Sequence, residues 1–191
     1  GISSWLLNED IILRMKKSGC YRINLAIESG VQEVLDHIIN KPVKVNQIPD
    51  LVRIIRKHGM EPTLFLVVGN ISEDRVETVE EIQRSFKFAR KLKIYPHASL
   101  LTAYPGSDVL TIAEEKGYLV PGFNWDDLLI HTSQLQTKEW SPEQLVALVH
   151  KEKIKTRWWI FLTSPLDSIN FIWHHFAKHP IKYCQVMSRH F

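Results

Sequence analysis

Three short polar stretches of the chain carry residue types that can bind a small charged ligand. Glu28-Ser29-Gly30, Gly69 to Glu73 and Thr102 to Ser107 each follow an apolar run. A carboxylate such as Glu28 accepts hydrogen bonds from an ammonium or hydroxyl group, and such a charge-assisted bond is about twice as strong as a neutral one. Glycines at positions 30 and 69 allow close approach to the backbone because they lack a Cβ. These stretches are the candidate binding loops.

The segments around these loops predict alternating helices and strands. Hydrophobic spacing predicts helices over 9–17, 31–38, 48–59, 75–92 and 108–116, and strands over 21–27, 64–68 and 94–102. Ser72, followed by acidic residues, is the expected cap of the long helix over 75–92. The unbroken apolar run over 64–68 is typical of a strand buried on both faces.

The order of these elements predicts where the loops lie. Strand-helix alternation with connections too long for hairpins implies parallel strands and right-handed crossovers, hence an α/β layer or part of a barrel. Ligands of such folds bind at the carboxyl ends of the strands. All three polar stretches fall at such ends, so we expect them to lie at one edge of the sheet.

The three loops, taken in order, resemble the later half of the radical S-adenosylmethionine (radical SAM) fold. The resemblance is to the branch that often carries a cobalamin-binding domain upstream. IESG resembles that branch's G-I-E-S motif, with Ala26 where glycine is usual. VVGNISED resembles the G-F-P-G-E-T loop, matching at Gly69 and Glu73. LLTAYPGSDV resembles L-x-T-P-Y-P-G-T, matching at Thr102, Tyr104, Pro105 and Gly106.

The resemblance implies an α/β fold class with two parts. Residues 1–120 are expected to form the carboxy-terminal part of a (β/α) TIM-like barrel, with about three parallel strands and flanking helices. Residues 121–191 are expected to form a helical, aromatic-rich extension, since FNWDDLLIHT and SPEQLVAL resemble the extension of the same branch. Ser141 before Pro142 is typical of a helix start, and that helix is expected to run past Trp158.

The same resemblance implies the cofactors and the residues that hold them. In the family, the acidic residue at Glu28 contacts the methionyl or ribose part of S-adenosylmethionine, and the loop at Gly69 helps to bind adenine. The implied cofactor-binding residues are Glu28, Ser29, Gly30, Gly69, Glu73 and Thr102. Each also has a structural alternative: Glu28 as a solvated or capping acid, Gly69 as a turn, and Glu73 as an acid at a helix start. No catalytic residue and no metal ligand is assigned.

The iron-sulfur cluster of the family requires ligands that this sequence lacks. The [4Fe-4S] cluster needs three thiolates on one loop, in a C-x-x-x-C-x-x-C motif. Only Cys20 and Cys184 occur here, far apart. The cluster-binding half-barrel is therefore expected in an upstream part of the same polypeptide, and cobalamin binding is left open. Two isolated cysteines also fit the reducing cytoplasm.

The function implied by the resemblance is that of a longer enzyme. Such a parent cleaves S-adenosylmethionine reductively and acts on a small-molecule substrate, with methyl transfer and ring formation ranked first. The 191 residues are expected to be inactive alone and to leave an unpaired strand edge. The alternative is a non-catalytic binding or interaction module that keeps the fold. An upstream cysteine loop would favour the enzyme, and a start codon directly before Gly1 the module.

The composition and the carboxy-terminal tail argue against other classes of protein. The net charge of +3 arises from interspersed residues, so it marks no nucleic-acid surface, and no apolar run is long enough to span a membrane. Aromatic patches at 158–162 and 171–176 could lie on a membrane, but polar residues split them, which favours packing against the barrel or an upstream domain. His174, His175 and His179 lack a further ligand at suitable spacing, which argues against a metal site.

Overall fold

A three-stranded parallel sheet in the order β1-β2-β3 forms the centre of the chain. The computed structural model describes residues 1–128 and 132–164. The strands are β1 (Arg22–Glu28), β2 (Glu61–Val68) and β3 (His97–Leu100). Arg22 lies opposite Glu61, and Phe65 lies opposite His97. The parallel pairing with helical connections confirms the predicted α/β fold class.

Helices connect the strands and extend the chain after them. They are α1 (Glu9–Lys17), α2 (Gln32–Val34, continuing as a π-helical turn over Leu35–Ile39), α3 (Ile48–Lys57), α4 (Val79–Lys91), α5 (Asp108–Glu115) and α6 (Pro142–Thr163). The predicted start of α6 is confirmed by a capping box. The Ser141 hydroxyl accepts from the Gln144 backbone amide, and the Gln144 side-chain oxygen accepts from the Ser141 backbone amide.

Several predicted element bounds are wrong, among them the start of β2, which begins at Glu61 and not at residue 64. Helix α4 begins at Val79, not at residue 75, because Thr78 and Glu81 form a reciprocal capping box there. The Ser72 hydroxyl instead bonds to Arg75 within the loop. Strand β3 spans only His97–Leu100. It follows Pro96, which has no amide hydrogen to donate to a neighbouring strand.

The sheet has one covered face and one open face. Side chains of the covered face are fully buried; they are Ile23, Leu25, Ile27, Leu64, Leu66 and Val68. Their neighbours along the strands point the opposite way and stay half-buried, among them Asn24, Phe65 and Val67. The prediction that residues 64–68 are buried on both faces is therefore wrong, because Phe65 and Val67 belong to the open face.

The extension after residue 120 packs into the same core as the strands. Trp140, Leu145 and Val149 join the hydrophobic cluster that contains the sheet residues. Helix α6 is fastened to α4 by Arg90, whose guanidinium lies 2.6 Å from the Glu152 carboxylate and 3.1 Å from the Thr156 hydroxyl. The division at residue 120 stays a prediction.

The end of α6 carries exposed aromatic residues. Trp158 and Leu162 are 60% and 72% exposed, and Trp159 and Phe161 are also exposed. The expected packing of this patch against the barrel is thus not seen among the described residues, and packing against an upstream domain stays a prediction. The second patch and the three tail histidines lie outside the described residues. None of the helices described is long and apolar enough to cross a bilayer.

Candidate functional site at the carboxyl edge of the sheet

Glu28 ends β1 in an unusual backbone conformation. Its φ of +63° lies in the left-handed region, and the pairing of β1 with β2 is irregular between Ala26 and Glu28. A non-glycine residue in this region costs on the order of 1 kcal/mol, so surrounding contacts must hold it. Its carboxylate forms an ion pair with Lys41, whose ammonium lies 5.5 Å from the centre of the Trp5 ring. The acid remains 21% exposed and thus reachable from solvent.

Ser29 and Gly30 join this loop to α4. The Ser29 hydroxyl is buried, lies 3.0 Å from the Ser85 hydroxyl, and accepts from the Val31 amide. The Gly30 amide donates to the Ser85 hydroxyl at 3.0 Å. A Cβ at Gly30 would lie 2.9 Å from the Phe88 Cβ. The close approach that Gly30 permits is therefore to α4 of its own chain.

Gly69 and Thr102 continue the same edge. Gly69 has a φ of +78°, and a Cβ there would lie 2.8 Å from the Leu145 side chain. Its lack of a Cβ thus accommodates the extension. Thr102 is half-buried, and the Leu101 amide before it bonds to the Val68 carbonyl at 2.9 Å. This bond places the end of β3 directly beside the end of β2.

Glu73 follows Gly69 and Asn70 on the loop after β2. It is exposed and lines a cleft of about 1010 Å³ between the turn that follows α2, the loop after β2, and α5. Neither Glu28 nor Thr102 lines that cleft. The structure therefore brings Glu28, Gly69 and Thr102 to the edge of the sheet and places Glu73 on the wall of a cleft that Asn70 and Leu101 also line.

Glu77 is the acid that organises the loop after β2, and the sequence analysis missed it. One oxygen of its fully buried carboxylate, Oε2, accepts from the Gly69 amide (3.0 Å), the Asn70 amide (3.1 Å) and the Asn70 side-chain amide (2.8 Å). Within the described residues, Oε1 has no hydrogen-bond partner. Burial raises the pKa of Glu77 to about 7, although the bonds from Asn70 and Gly69 oppose the rise.

A local signal for Glu77 was available in the sequence. Thr78 and Glu81 match the T-x-x-E capping box, which sets the helix start at residue 79. Glu77 then precedes the cap and belongs to the loop. Its burial could not be read from this motif, because most acids at helix starts are solvated.

The open face of the sheet carries polar groups towards its opposite, amino-terminal edge. Arg22 donates twice to one Glu61 oxygen, at 2.8 and 3.0 Å, and Thr63 bonds to the side chain of Asn24. Phe65 stacks on His97 with ring centres 5.1 Å apart. Burial, aided by the Arg22 and Lys153 cations, lowers the pKa of His97. These polar groups are paired with one another, and they lie several residues along the strands from Glu28.

The described residues differ in how well they fit the two implied cofactors. An acid and a hydroxyl at the edge, Glu28 and Thr102, suit the ammonium and ribose groups of S-adenosylmethionine. An iron-sulfur cluster does not fit: in the parts of the chain that the structure covers, no three His, Cys, Asp or Glu side chains could hold a metal. The thiol of Cys20 bonds instead to the Arg22 carbonyl at 3.1 Å.

Comparison with known proteins finds methyltransferase relatives and solved structures of the same fold. The chain is 32% identical over 125 residues to cytidylyl-2-hydroxyethylphosphonate methyltransferase of Streptomyces wedmorensis, which covers 63% of this chain and 23% of that protein. It is 28% identical over 169 residues to an uncharacterized methyltransferase of Pyrococcus horikoshii, and this match covers 88% of this chain and 34% of that protein. The chain thus spans about a quarter to a third of the length of these relatives. No family model matches the chain.

One of the similar solved structures is coproporphyrinogen III oxidase (HemN) from Escherichia coli, which is a radical SAM enzyme. It matches with a TM-score of 0.55 at 14% identity, over 81% of this chain and 30% of the oxidase. This likeness defines the fold: three parallel strands with flanking helices, similar to the TIM-like fold of that radical SAM enzyme.

Proposed function

We propose that the chain is part of the barrel of a radical SAM methyltransferase and supplies loops that hold S-adenosylmethionine. The observation that carries the proposal is the carboxyl edge of the sheet, where Glu28 is held in a left-handed conformation and stays reachable. The likeness of the fold to a radical SAM enzyme supports the cofactor class. The two methyltransferase relatives support methyl transfer over ring formation.

Within this proposal the residues at the edge have separate roles. The Glu28 carboxylate accepts hydrogen bonds from the ammonium or ribose hydroxyls, and Thr102 offers a hydroxyl from the end of β3. Gly69 and Asn70 shape the loop beside them, while Ser29 and Gly30 fix the first loop to α4. S-adenosylmethionine supplies a methyl group or, beside a reduced cluster, a deoxyadenosyl radical.

The proposal places the cluster ligands, and the strands that precede β1, outside this chain. Along its outer edge, β1 pairs only with Ile2 among the described residues: the Ile2 amide bonds to the Asn24 carbonyl at 2.7 Å, and the Ala26 amide to the Ile2 carbonyl at 3.1 Å. That edge can accept a further parallel strand. The short coverage of the relatives agrees with such a partner segment. Cobalamin enters the proposal only through the branch resemblance, and the substrate is a small molecule.

Two experiments test the proposal. Titration calorimetry should detect binding of S-adenosylmethionine to the chain, and Glu28→Gln should weaken it about tenfold or more, as expected for the loss of a charge-assisted bond. Glu114→Gln, at an exposed acid on α5, is the matched control. Circular dichroism must show that both variants fold. Equal affinity of Glu28→Gln and wild type would remove Glu28 from the site.

Activity is tested in a longer polypeptide that carries a three-cysteine loop upstream. After anaerobic cluster reconstitution and reduction, that protein should convert S-adenosylmethionine to 5′-deoxyadenosine or transfer its methyl group, and this chain alone should do neither. If the longer protein does not bind S-adenosylmethionine, either with or without its reconstituted cluster, the non-catalytic module is favoured.

A further inference from the structure

The extension reaches directly into the loop after β2. The indole nitrogen of Trp140 donates to the backbone carbonyl of Glu77 at 2.8 Å, and Trp140 is only 2% exposed. Leu145, in the first turns of α6, lies against Gly69 so closely that a Cβ on the glycine would be 2.8 Å away. Residues some seventy positions later in the chain therefore form one wall of this loop.

Glu77 forms hydrogen bonds through both its side-chain carboxylate and its backbone carbonyl. Its carboxylate gathers the amides of Gly69 and Asn70, and its carbonyl accepts from Trp140. Gly69, Asn70, Glu77 and Trp140 are called the Glu77 clasp below. Glu77 therefore links the loop after β2 to the extension. Each of its hydrogen bonds named here is between 2.8 and 3.1 Å long.

Trp140 is itself held from two sides. Its carbonyl accepts from the Thr137 amide at 3.0 Å, and α6 begins immediately after it with the Ser141 capping box. Further along α6, Glu152 is buried in its ion pair with Arg90 of α4. A buried pair of this kind fixes the helix in place, because separating it would leave an uncompensated charge. The donor of the clasp is therefore on a rigid support.

We infer that the extension, through Trp140 and Glu77, positions the loop after β2 for the ligand that binds at the carboxyl edge of the sheet. This inference rests on the proposed function. Glu77 and Trp140 act as positioning residues, since neither is placed at the ligand itself. Because one contact serves both parts, ligand binding at the edge and docking of the extension are linked and must affect each other equally.

The test uses the full chain with two variants and two matched controls. Trp140→Phe keeps a ring in the core and removes the indole donor, and Glu77→Gln removes the carboxylate. The controls are Trp125→Phe, at a half-exposed tryptophan, and Glu80→Gln, at an exposed acid on α4. Hydrogen exchange of the Gly69 and Asn70 amides and calorimetric affinity for S-adenosylmethionine are measured well below the unfolding temperature.

Trp140→Phe should speed exchange of those amides about fivefold or more and weaken S-adenosylmethionine binding by a similar factor, as expected for one lost hydrogen bond. Both controls should match wild type. In wild type, adding S-adenosylmethionine should slow exchange over residues 138–145, and Trp140→Phe should abolish this slowing. A residue that acted only in packing would not transmit that response.

Unchanged loop exchange and unchanged affinity in both variants would overturn the inference. So would a uniform rise in exchange with normal affinity, because that pattern indicates lower global stability alone. If wild type fails to bind S-adenosylmethionine, the proposed function fails for this chain. The exchange measurement then still decides: a rise confined to the loop in Trp140→Phe supports the clasp, and its absence refutes it. If Glu77→Gln does not fold, Trp140→Phe carries the test.

Discussion

The loops after β1 and β2 each contain an acid and a glycine, and the two acids lie in different surroundings. Glu28 pairs with the Lys41 side chain and remains 21% exposed. Glu77 is fully buried, and its partners are backbone and side-chain amides of its own loop. An acid whose partner is a mobile side chain can exchange that partner for a ligand. An acid bonded to three amides is committed to shaping its loop.

The largest expected effect comes from a substitution in the extension, which should change the loop after β2 more than the loop after β1. Glu152→Ala leaves the Arg90 cation buried without its carboxylate partner and should lower the free energy of unfolding by about 3–5 kcal/mol. Because α6 supports Trp140, amide exchange should rise more in the loop after β2 than in the loop after β1. Urea unfolding and exchange measure this, with exposed Glu139→Ala as control. Equal increases in the two loops would contradict the difference between them.

The second prediction uses the raised pKa of Glu77. Between its ordinary value and about 7, the folded chain holds a proton that the unfolded chain releases. The free energy of unfolding should therefore fall as pH rises from about 5 to about 8, by up to about 3 kcal/mol from this group. The charge of the neighbouring Glu81, which pairs with Arg75, also raises the pKa of Glu77.

Glu77→Gln should remove that part of the pH dependence. The difference between the two urea-unfolding curves, measured at each pH, isolates Glu77 from the other titrating groups. Glu28→Gln, at the acid of the other loop, is the comparison variant. A pH profile unaltered by Glu77→Gln would mean that Glu77 ionises normally.

The third prediction concerns the glycine of the second loop. Gly69→Ala combines a positive φ with contact against Leu145, whereas Gly106→Ala has the same φ of +78° with nothing within 4 Å. We expect a loss of about 1 kcal/mol for Gly106→Ala and about 2 kcal/mol for Gly69→Ala. Thermal unfolding of both variants gives the difference. Losses of the same size would show that Leu145 moves aside freely.

The smallest effect is expected at the ion pair of the first loop. Lys41→Met should cost no more than about 1 kcal/mol, because the pair is partly solvated. Lys44→Met, at a more exposed lysine near Asp36, is the control. Urea unfolding measures both. A loss well above about 1 kcal/mol would contradict the difference between the two loops.

Residues in the two loops show how far the sequence was informative about the site. The apolar runs correctly predicted three parallel strands and loops at their carboxyl ends, and Glu28, Gly69 and Thr102 do lie at that edge. Glu73 was chosen from a motif, and it is exposed on the wall of a cleft that Asn70 and Leu101 also line. Ser29 and Gly30 also fit the motif, and their contacts are with α4. Whether these residues bind the cofactor stays a prediction.

The sequence by itself determined the order of strands and helices, because hydrophobic spacing and helix caps are local properties of the chain. Only the tertiary structure decided which acid is buried and which face of the sheet stays open. Phe65 and Val67 look like core residues in sequence, but both stay only half-buried. Glu77 and Gly69 acquire their surroundings from Trp140 and Leu145, more than sixty positions away. Such contacts depend on how the whole chain packs, which no local pattern records.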